Sequence, residues 1–122
     1  MDKPSIEKIC KINRLILRRK NTLRDVNLLD SCISSAFQSY GGTDFYATDF
    51  EKICRISYGI VKNHAFIDGN KRTSLAFLTT FLEIYDFPPL KCTLLIEPVI
   101  LMTAQSLISF EDFCLMVKDL LE

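Results

Sequence analysis

The stretch His64-Ala-Phe-Ile-Asp-Gly-Asn-Lys-Arg-Thr73 breaks a chain whose pattern is otherwise helical almost throughout. Before it, an amphipathic pattern opens after Thr48 and runs to about His64. After it, a second apolar stripe runs from about Lys71 to Tyr85. The Asp-Gly pair inside the stretch is a turn signal. The sequence therefore predicts two helices joined by a tight loop.

Further helices are predicted on both sides of this pair, which makes the fold class all-α. The first expected helix has residues from Ile6 to Leu17 along its inner side and ends in Arg18-Arg19-Lys20. The other expected elements are a helix from Val26 to Tyr40 stopped by Gly41-Gly42, a loop or short hairpin over 41–47, an extended segment from Lys91 to Ile96, a helix from Pro98 to Leu107, and a last helix capped by Ser109. The length of 122 residues predicts one domain, residues 1–122.

Composition narrows the class of protein. Fifteen Lys and Arg balance fifteen Asp and Glu, so nothing predicts attraction to nucleic acid or to a membrane surface. The basic run Arg18-Arg19-Lys20 is therefore interpreted as a solvated helix end. No apolar run is long enough to span a bilayer, and the amino terminus lacks a signal-peptide pattern, so we expect a cytoplasmic protein. Five cysteines without a C-x-x-C pair, and a single histidine, argue against a disulfide framework and a zinc site.

The start of the helix after the loop is suited to binding phosphate. Backbone N–H groups at a helix start lack partners, and the helix dipole favours an anion there. Gly69 permits close approach of a ligand to the backbone. Lys71 and Arg72 add two cations at the same place, and arginine suits bidentate contact with phosphate oxygens.

Two further residues of the stretch carry chemistry. Histidine is the side-chain type that exchanges protons near neutral pH, which makes His64 a candidate general base. A carboxylate beside a phosphate cradle is where Mg²⁺ is expected, which makes Asp68 a candidate metal ligand. A histidine at a helix end and an Asp-Gly-Asn turn are also common without any function, so the residues alone leave a purely structural interpretation open.

The stretch resembles the motif of the Fic/Doc family, H-x-F-x-D/E-G/A-N followed by G-R or K-R. Lys71 in place of the second glycine is similar to the Doc (death-on-curing) branch. Doc has alanine at the position of Gly69, whereas adenylylating Fic enzymes have glycine. Similar residues recur elsewhere in the chain: Leu23-Arg24-Asp25, Leu28-Leu29, Tyr40-Gly41-Gly42, Phe50-Glu51-Lys52, Asn63 and Phe81-Leu82.

The resemblance implies a compact, mainly helical domain with the motif between two central helices and a flap near Gly41–Thr48. It also implies a role for each motif residue. His64 would be the general base, Phe66 the anchor of the loop, Asp68 the Mg²⁺ ligand, Gly69 and Asn70 the anion hole (with Asn70 also touching the nucleotide), and Lys71 and Arg72 the residues that bind and neutralise the phosphates.

The activity implied by Lys71 is transfer of a phosphoryl group from ATP to a Ser or Thr hydroxyl of a translation factor similar to elongation factor Tu. The implied setting is a toxin–antitoxin pair with a Phd-like antitoxin as partner, and without direct contact to nucleic acid or membrane. Gly69 keeps protein adenylylation open as an alternative. A relative that binds a partner without catalysis is a second alternative.

Overall fold

A computed structural model describes residues 1–20 and 22–122, which form six helices and one two-stranded hairpin. The elements are α1 Ile6–Leu17, α2 Val26–Ala36, β1 Ser39–Tyr40, β2 Thr43–Asp44, α3 Asp49–Asn63, α4 Asn70–Ile84, α5 Thr93–Ala104 and α6 Phe110–Asp119. The prediction of an all-α fold with a short hairpin is confirmed.

The helices α3 and α4 form the centre of the fold. The other helices surround them: α3 packs against α2, α4, α5 and α6, and α4 packs against α1, α3 and α5. Two buried hydroxyls link α3 to α4, because Ser57 Oγ lies within hydrogen-bond distance of Ser74 Oγ, at 2.7 Å. Ser74 Oγ also donates to the backbone carbonyl of Ser57 at 2.7 Å. The loop between α3 and α4 is therefore held from both sides by packed helices.

The helix α2 approaches α3 closely at Gly59. A Cβ atom at Gly59 would lie 3.2 Å from both Cβ and Sγ of Cys32 on α2. Glycine therefore permits a spacing between these helices that a side chain would widen. The contact is one turn before α3 ends at Asn63, so it fixes where the following loop begins.

Side-chain caps define four of the helix starts. Ser5, Asp25, Thr48 and Ser109 each accept a hydrogen bond from a backbone N–H in the first turn of the helix that follows. The predicted starts of α3 at Thr48 and of α6 at Ser109 are confirmed. The predicted first helix is confirmed; it spans Ile6–Leu17, and Arg18, the first residue of the basic run, is its C-cap with a left-handed backbone.

The predicted end of α2 at Tyr40 is wrong, because the helix stops at Ala36. The two glycines do not terminate a helix but form the turn of the hairpin, with φ of 58° at Gly41 and 80° at Gly42. Left-handed residues at both positions match the twist of paired antiparallel strands. Tyr40 therefore pairs with Thr43 in β1–β2 instead of continuing α2.

The predicted start of α5 at Pro98 is also wrong. The helix begins at Thr93, so the segment expected to be extended contains its first turn, and Pro98 lies inside it. Proline in a helix interior removes one backbone hydrogen bond. Burial of Ile96, Val99 and Ile100 compensates for that loss. No helix among residues 1–20 and 22–122 has the length and apolar character needed to cross a membrane.

Candidate functional site

The loop between α3 and α4 turns on two left-handed residues. His64 ends α3 with φ 50° and ψ 47°, and Gly69 precedes α4 with φ 77° and ψ 18°. The loop and the first turn of α4 enclose a cavity of about 220 Å³. The residues that line it are His64, Ile67, Asp68, Gly69, Asn70, Lys71, Arg72 and Ala104. All six residues singled out as site residues from the sequence therefore meet at one cavity.

The imidazole of His64 is open to a ligand. Its side chain is exposed, and none of the described residues forms a hydrogen bond with the ring. The backbone of His64 is held instead, because the guanidinium of Arg24 donates to its carbonyl, from Nε at 3.2 Å and also from Nη2. The ring is therefore attached to a fixed backbone and lies at the edge of the cavity.

The shape of the loop depends on Phe66 and Asn70. The ring of Phe66 is buried in the core, as the resemblance implies. The carboxamide of Asn70 spans the loop: Oδ1 accepts from the N–H of Phe66 at 3.1 Å, and Nδ2 donates to its carbonyl at 3.0 Å. Asn70 thus closes the loop on itself, while one hydrogen of its amide group remains for another acceptor.

The segment after α1 also supports the loop through backbone contacts. The N–H groups of Arg24 and Asp25 both donate to the carbonyl of Ala65, at 2.9 Å and 3.1 Å. The N–H of Ile67 donates to the carbonyl of Thr22 at 2.8 Å. The loop therefore has a strand-like neighbour on one side, which leaves its other side for the cavity.

The amino terminus of α4 is left open toward the cavity. Gly69 occupies the cap position and has no side chain to offer, so no side-chain hydrogen bond caps this helix. The first backbone N–H with a partner inside the helix is that of Thr73, which donates to the carbonyl of Gly69 at 2.8 Å. The N–H groups of Asn70, Lys71 and Arg72 precede it within the helix, and together with the positive end of the helix dipole they are available to an anion.

Asp68 has one fully engaged oxygen and one that is loosely held. Oδ1 accepts from the N–H of Gly69 at 2.7 Å, which orients the carboxylate over the loop. Oδ2 lies 3.3 Å from Nη1 of Arg19, and both side chains are more than half exposed. Exposed ion pairs of this kind contribute at most about 1 kcal/mol to stability, so Oδ2 can exchange Arg19 for a metal cation.

The two cations of the first turn differ in their contacts. Nη2 of Arg72 donates to the carbonyl of Ile16, near the carboxyl end of α1, at 3.2 Å. Lys71 is exposed and forms no ion pair in the part of the chain that the structure describes. Lys71 and Arg72 line a second, larger groove between α4 and α5 in addition to the cavity. Arg72 is therefore positioned by the scaffold, whereas the ammonium of Lys71 is free to meet a ligand.

The end of α1 supplies residues to this site that sequence reasoning missed. Asn13 is buried, and its Nδ2 donates to the carbonyl of Asp68 at 3.1 Å and to Oγ1 of Thr73 at 2.9 Å. The hydroxyl of Thr22 donates to Oδ1 of Asn13. Arg19 belongs to the basic run that was interpreted as a solvated helix end, yet it reaches Asp68. The sequence contained one signal for these residues: Asn13 is an amide on the buried side of an otherwise apolar stripe. It contained no such signal for Thr22 or Arg19.

The hairpin β1–β2 is fastened to α3 by a buried lysine. The ammonium of Lys52 donates to Oδ2 of Asp44 at 3.2 Å and to the carbonyl of Tyr46. It also lies 5.9 Å from the centre of the Phe37 ring. The guanidinium of Arg55 faces the ring of Tyr46 at 6.0 Å. The segment that resembles a flap is thus held in place by charged and aromatic contacts.

The residues present suit a cation that is shared with a ligand rather than held by protein alone. In the described ranges no group of three His, Cys, Asp or Glu side chains could bind a metal by itself. Mg²⁺ uses one or two carboxylates together with substrate phosphates. Asp68 provides one such oxygen beside the open helix terminus, so the donor set fits Mg²⁺ accompanied by a phosphate.

Comparisons with known proteins identify the family of this chain. Residues 3–82 match the Fic/DOC family, which covers about two thirds of the chain. The curated toxin Doc of Mycolicibacterium smegmatis is 37% identical over 62 residues, which are 51% of this chain and 48% of that protein. The match thus spans about half the length of each chain, and no solved structure gives a significant match. This chain belongs to the Fic/DOC family.

Proposed function

We propose that this protein transfers the γ-phosphoryl group of ATP to a Ser or Thr hydroxyl of a protein, as a toxin of the Doc type. One observation carries the proposal. A free imidazole, an uncapped helix terminus and two cations meet at one cavity of about 220 Å³. These are the groups that transfer of a phosphoryl group to a hydroxyl needs: a base for the hydroxyl and positive charge for the phosphate.

His64 accepts the proton of the target hydroxyl as its oxygen forms a bond to the γ-phosphorus of ATP. The bond between that phosphorus and the β,γ-bridging oxygen breaks, and ADP leaves with the electron pair. The N–H groups at the start of α4 and the side chains of Lys71 and Arg72 stabilise the charge on the phosphoryl oxygens.

Asp68 would hold Mg²⁺ through Oδ2, after that oxygen separates from Arg19. When bound, the ion would neutralise charge on the phosphates and hold them in place. Asn70 contributes by keeping the loop closed, and the remaining hydrogen of its amide group could reach the nucleotide. The flap-like hairpin, held by Lys52, would position the target segment next to His64.

Gly69 no longer favours the alternative of adenylylation. Its φ of 77° is a conformation that suits glycine, and a Cβ atom there would lie 2.9 Å from Cδ2 of Leu17. Glycine at this position therefore has a structural reason that is independent of which phosphate is transferred. Lys71 has no such role in the scaffold. It is therefore the residue that distinguishes the two reactions, and it favours phosphoryl transfer.

The proposed biological setting follows from the relative. The similarity to toxin Doc supports a role as a toxin that is neutralised by a partner antitoxin of the Phd type. A translation factor similar to elongation factor Tu is the proposed target, on the precedent of the Doc branch. We expect the protein to act in the cytoplasm, where ATP and translation factors are found.

The test is the intact mass of purified translation factors after incubation with this protein, ATP and Mg²⁺. We expect one target to gain the mass of one phosphate, and we expect His64→Ala to abolish the gain without loss of folding, because His64 is exposed. Lys71→Ala should slow the reaction strongly. The matched control is Lys11→Ala, an exposed lysine in the middle of α1, which should react at the wild-type rate.

Other outcomes separate the alternatives. A gain of the mass of one AMP, with label from α-labelled ATP, would place the protein among adenylylating enzymes. Undiminished transfer by His64→Ala would exclude His64 as the base. If no target is modified and growth arrest in cells survives loss of both His64 and Arg72, the protein acts by binding a partner.

A further inference from the structure

The side chain of Arg24 has no role in the reaction described above. It is exposed, it does not line the cavity of about 220 Å³ at His64, and it forms no ion pair within residues 1–20 and 22–122. Its guanidinium instead donates two hydrogen bonds to the carbonyl oxygen of His64, from Nε at 3.2 Å and from Nη2. An arginine fork more often meets the two oxygens of a carboxylate or a phosphate. Both donors of Arg24 therefore act on the backbone of the residue proposed as the general base.

The backbone of His64 benefits from such a contact because it is left-handed, with φ 50° and ψ 47°. Residues other than glycine adopt this conformation only rarely, although histidine does so more often than most. Glycine is the usual left-handed residue where a helix ends. A general base at this position requires an imidazole, however, so glycine cannot be used. A contact from elsewhere in the fold can stabilise this combination of a left-handed backbone with a large side chain.

The end of α1 has the same backbone conformation, which is stabilised there in a different way. Arg18 is left-handed, with φ 53° and ψ 39°, and its own N–H donates to the carbonyl of Arg14. At the equivalent cap residue of α3, the contact that the structure shows is the one between Arg24 and the carbonyl of His64. The end of α1 is thus closed by its own backbone. The left-handed conformation of His64 depends instead on a side chain that is remote in sequence.

Arg24 is itself held in place by the segment that runs beside the loop. Its N–H donates to the carbonyl of Ala65 at 2.9 Å, and Leu23 pairs with Phe66 in an antiparallel bridge. The side chain therefore starts from a fixed backbone directly beside its acceptor. Because the guanidinium is planar and rigid, it also loses little freedom for each hydrogen bond that it forms. The contact with His64 is thus determined by the scaffold.

We propose that Arg24 is a positioning residue for the general base. It holds the backbone of His64 in the left-handed conformation, which directs the imidazole to the cavity where the hydroxyl and the phosphate meet. Arg24 acts through His64 and touches neither the target nor the phosphates. The effect on catalysis rests on the proposed function, whereas the effect on the conformation of His64 does not. Because a misplacement of about 1 Å can lower a rate about a hundredfold, a small shift of this backbone is enough to slow transfer.

The first experiment measures transfer by Arg24→Ala to the translation factor that the mass assay identifies. We expect kcat to fall by about tenfold or more, because His64 then occupies the productive position for only part of the time. The Kd for ADP and the KM for the target should stay near the wild-type values, since Arg24 contacts neither. Guanidine hydrochloride, at a concentration too low to affect folding, should restore part of the lost rate, because the vacated site is open to solvent.

Arg18→Ala is the matched control for this change. Arg18 is also an exposed arginine with a left-handed backbone at a helix end, but its contact at the cap is made by its backbone. Arg18→Ala should therefore transfer at the wild-type rate. The thermal melt of each variant establishes that it is folded.

The second experiment needs neither nucleotide nor target. His64 is the only histidine of the chain, so its ring signals can be identified directly in a proton NMR spectrum. The amide of Ala65, observed in ¹⁵N-labelled protein, belongs to the same peptide unit as the carbonyl that Arg24 holds. In Arg24→Ala, exchange between backbone conformations on the microsecond to millisecond timescale should broaden the ring signals and this amide signal. Both should stay sharp in the wild type and in Arg18→Ala.

Two results would overturn the proposal. If Arg24→Ala raises the Kd for ADP or for inorganic tripolyphosphate and leaves kcat unchanged, Arg24 binds phosphate and does not position the base. If kcat is unchanged and both signals remain sharp, the loop holds His64 without Arg24. If wild-type protein modifies no translation factor, the proposed function fails, and the line widths alone decide whether Arg24 holds His64.

Discussion

The methyl groups of Leu17 lie where a side chain on residue 69 would have to be placed. A Cβ atom on Gly69 would be 2.9 Å from Cδ2 and 3.0 Å from Cδ1 of Leu17. Leu17 is the last residue of α1, and Gly69 is the residue that opens α4. The end of one helix thus restricts the residue type at the anion site of another.

Gly69→Ala should therefore lower both stability and activity. The left-handed backbone at this position costs a non-glycine residue about 1–2 kcal/mol, and the contact with Leu17 adds to that cost. We expect the free energy of unfolding in urea to fall by about 2 kcal/mol. The transfer rate of the folded protein should also fall, because the backbone that faces the phosphates is displaced.

The double variant Leu17→Ala/Gly69→Ala separates the two causes. Removal of the leucine methyl groups relieves the contact but not the backbone strain. Gly69→Ala should therefore cost less in the Leu17→Ala background than in the wild type. Equal costs in both backgrounds would show that Leu17 does not restrict residue 69.

Asn13 should be required for the shape of the loop although it lies in a different helix. Its buried amide binds the carbonyl of Asp68 and the hydroxyl of Thr73, and it accepts from Thr22. Asn13→Ala leaves these three groups without their partner, and each buried unsatisfied group costs about 1–3 kcal/mol. We expect a loss of at least about 3 kcal/mol in the free energy of unfolding, measured by urea titration.

The matched control for that variant is Asn27→Ala on α2, an exposed asparagine, which should change stability by less than about 0.5 kcal/mol. A second measurement is the amide exchange of Ile67 and Gly69, whose N–H groups bond within the supported loop. These amides should exchange faster in Asn13→Ala even under conditions where the protein is fully folded. Unchanged exchange would mean that Asn13 does not hold the loop.

Lys52 should control the order of the hairpin. Lys52→Met keeps the apolar stem of the side chain but removes the ammonium that binds Asp44 and the carbonyl of Tyr46. We expect the amide of Phe45, which donates to Gln38, to exchange faster. The free energy of unfolding should fall by about 1.5–3 kcal/mol, the contribution of a hydrogen bond to a charged group.

Lys11→Met, at an exposed position of α1, is the control for this change and should leave exchange in the hairpin as it is. Lys52→Met also tests the proposed role of the hairpin. If the hairpin positions the target, Lys52→Met should raise KM for the protein substrate while binding of ADP is retained. Loss of ADP binding would point to general unfolding instead.

Most of the helical fold could be predicted because its signals are local. The starts of α3 and α6 follow from Thr48 and Ser109, whose hydroxyls cap the first turn, and the existence of α1 follows from its apolar stripe. Gly41-Gly42 was misinterpreted because glycine both ends helices and turns hairpins, and the choice depends on strand pairing. Pro98 was misplaced because tertiary burial of α5 outweighs the propensity of one residue.

The residues of the candidate site also fall into two groups: those that a local sequence motif reveals and those that only the packing of helices reveals. His64, Asp68 and Lys71 are close in sequence, so a motif within one loop brings them together without any knowledge of the fold. Asn13 and Arg19 reach the same loop from more than 45 residues away. Their contacts depend on how α1 packs on α4, and a single sequence carries no periodic signal for such a contact.

The thiol of Cys32 should make stability fall at alkaline pH. Burial raises the pKa of this thiol to about 11, although a hydrogen bond from Asn63 acts in the opposite direction. The folded protein therefore keeps its proton at a pH where the thiol of the unfolded chain, with its ordinary value of 9.0, has begun to lose it. The unfolded state then binds fewer protons than the folded state, so the free energy of unfolding decreases as pH rises from 9.0 toward about 11.

The measurement is urea unfolding at several pH values for the wild type and for Cys32→Ala. The variant starts from a lower stability, because it leaves a small cavity against Gly59. It lacks the titrating thiol, however, so its stability should fall less steeply across the alkaline range, and the two curves should converge. Lysines, tyrosines and the other cysteines titrate equally in both proteins and do not affect the difference. Parallel curves would mean that Cys32 is not protected by its position between α2 and α3.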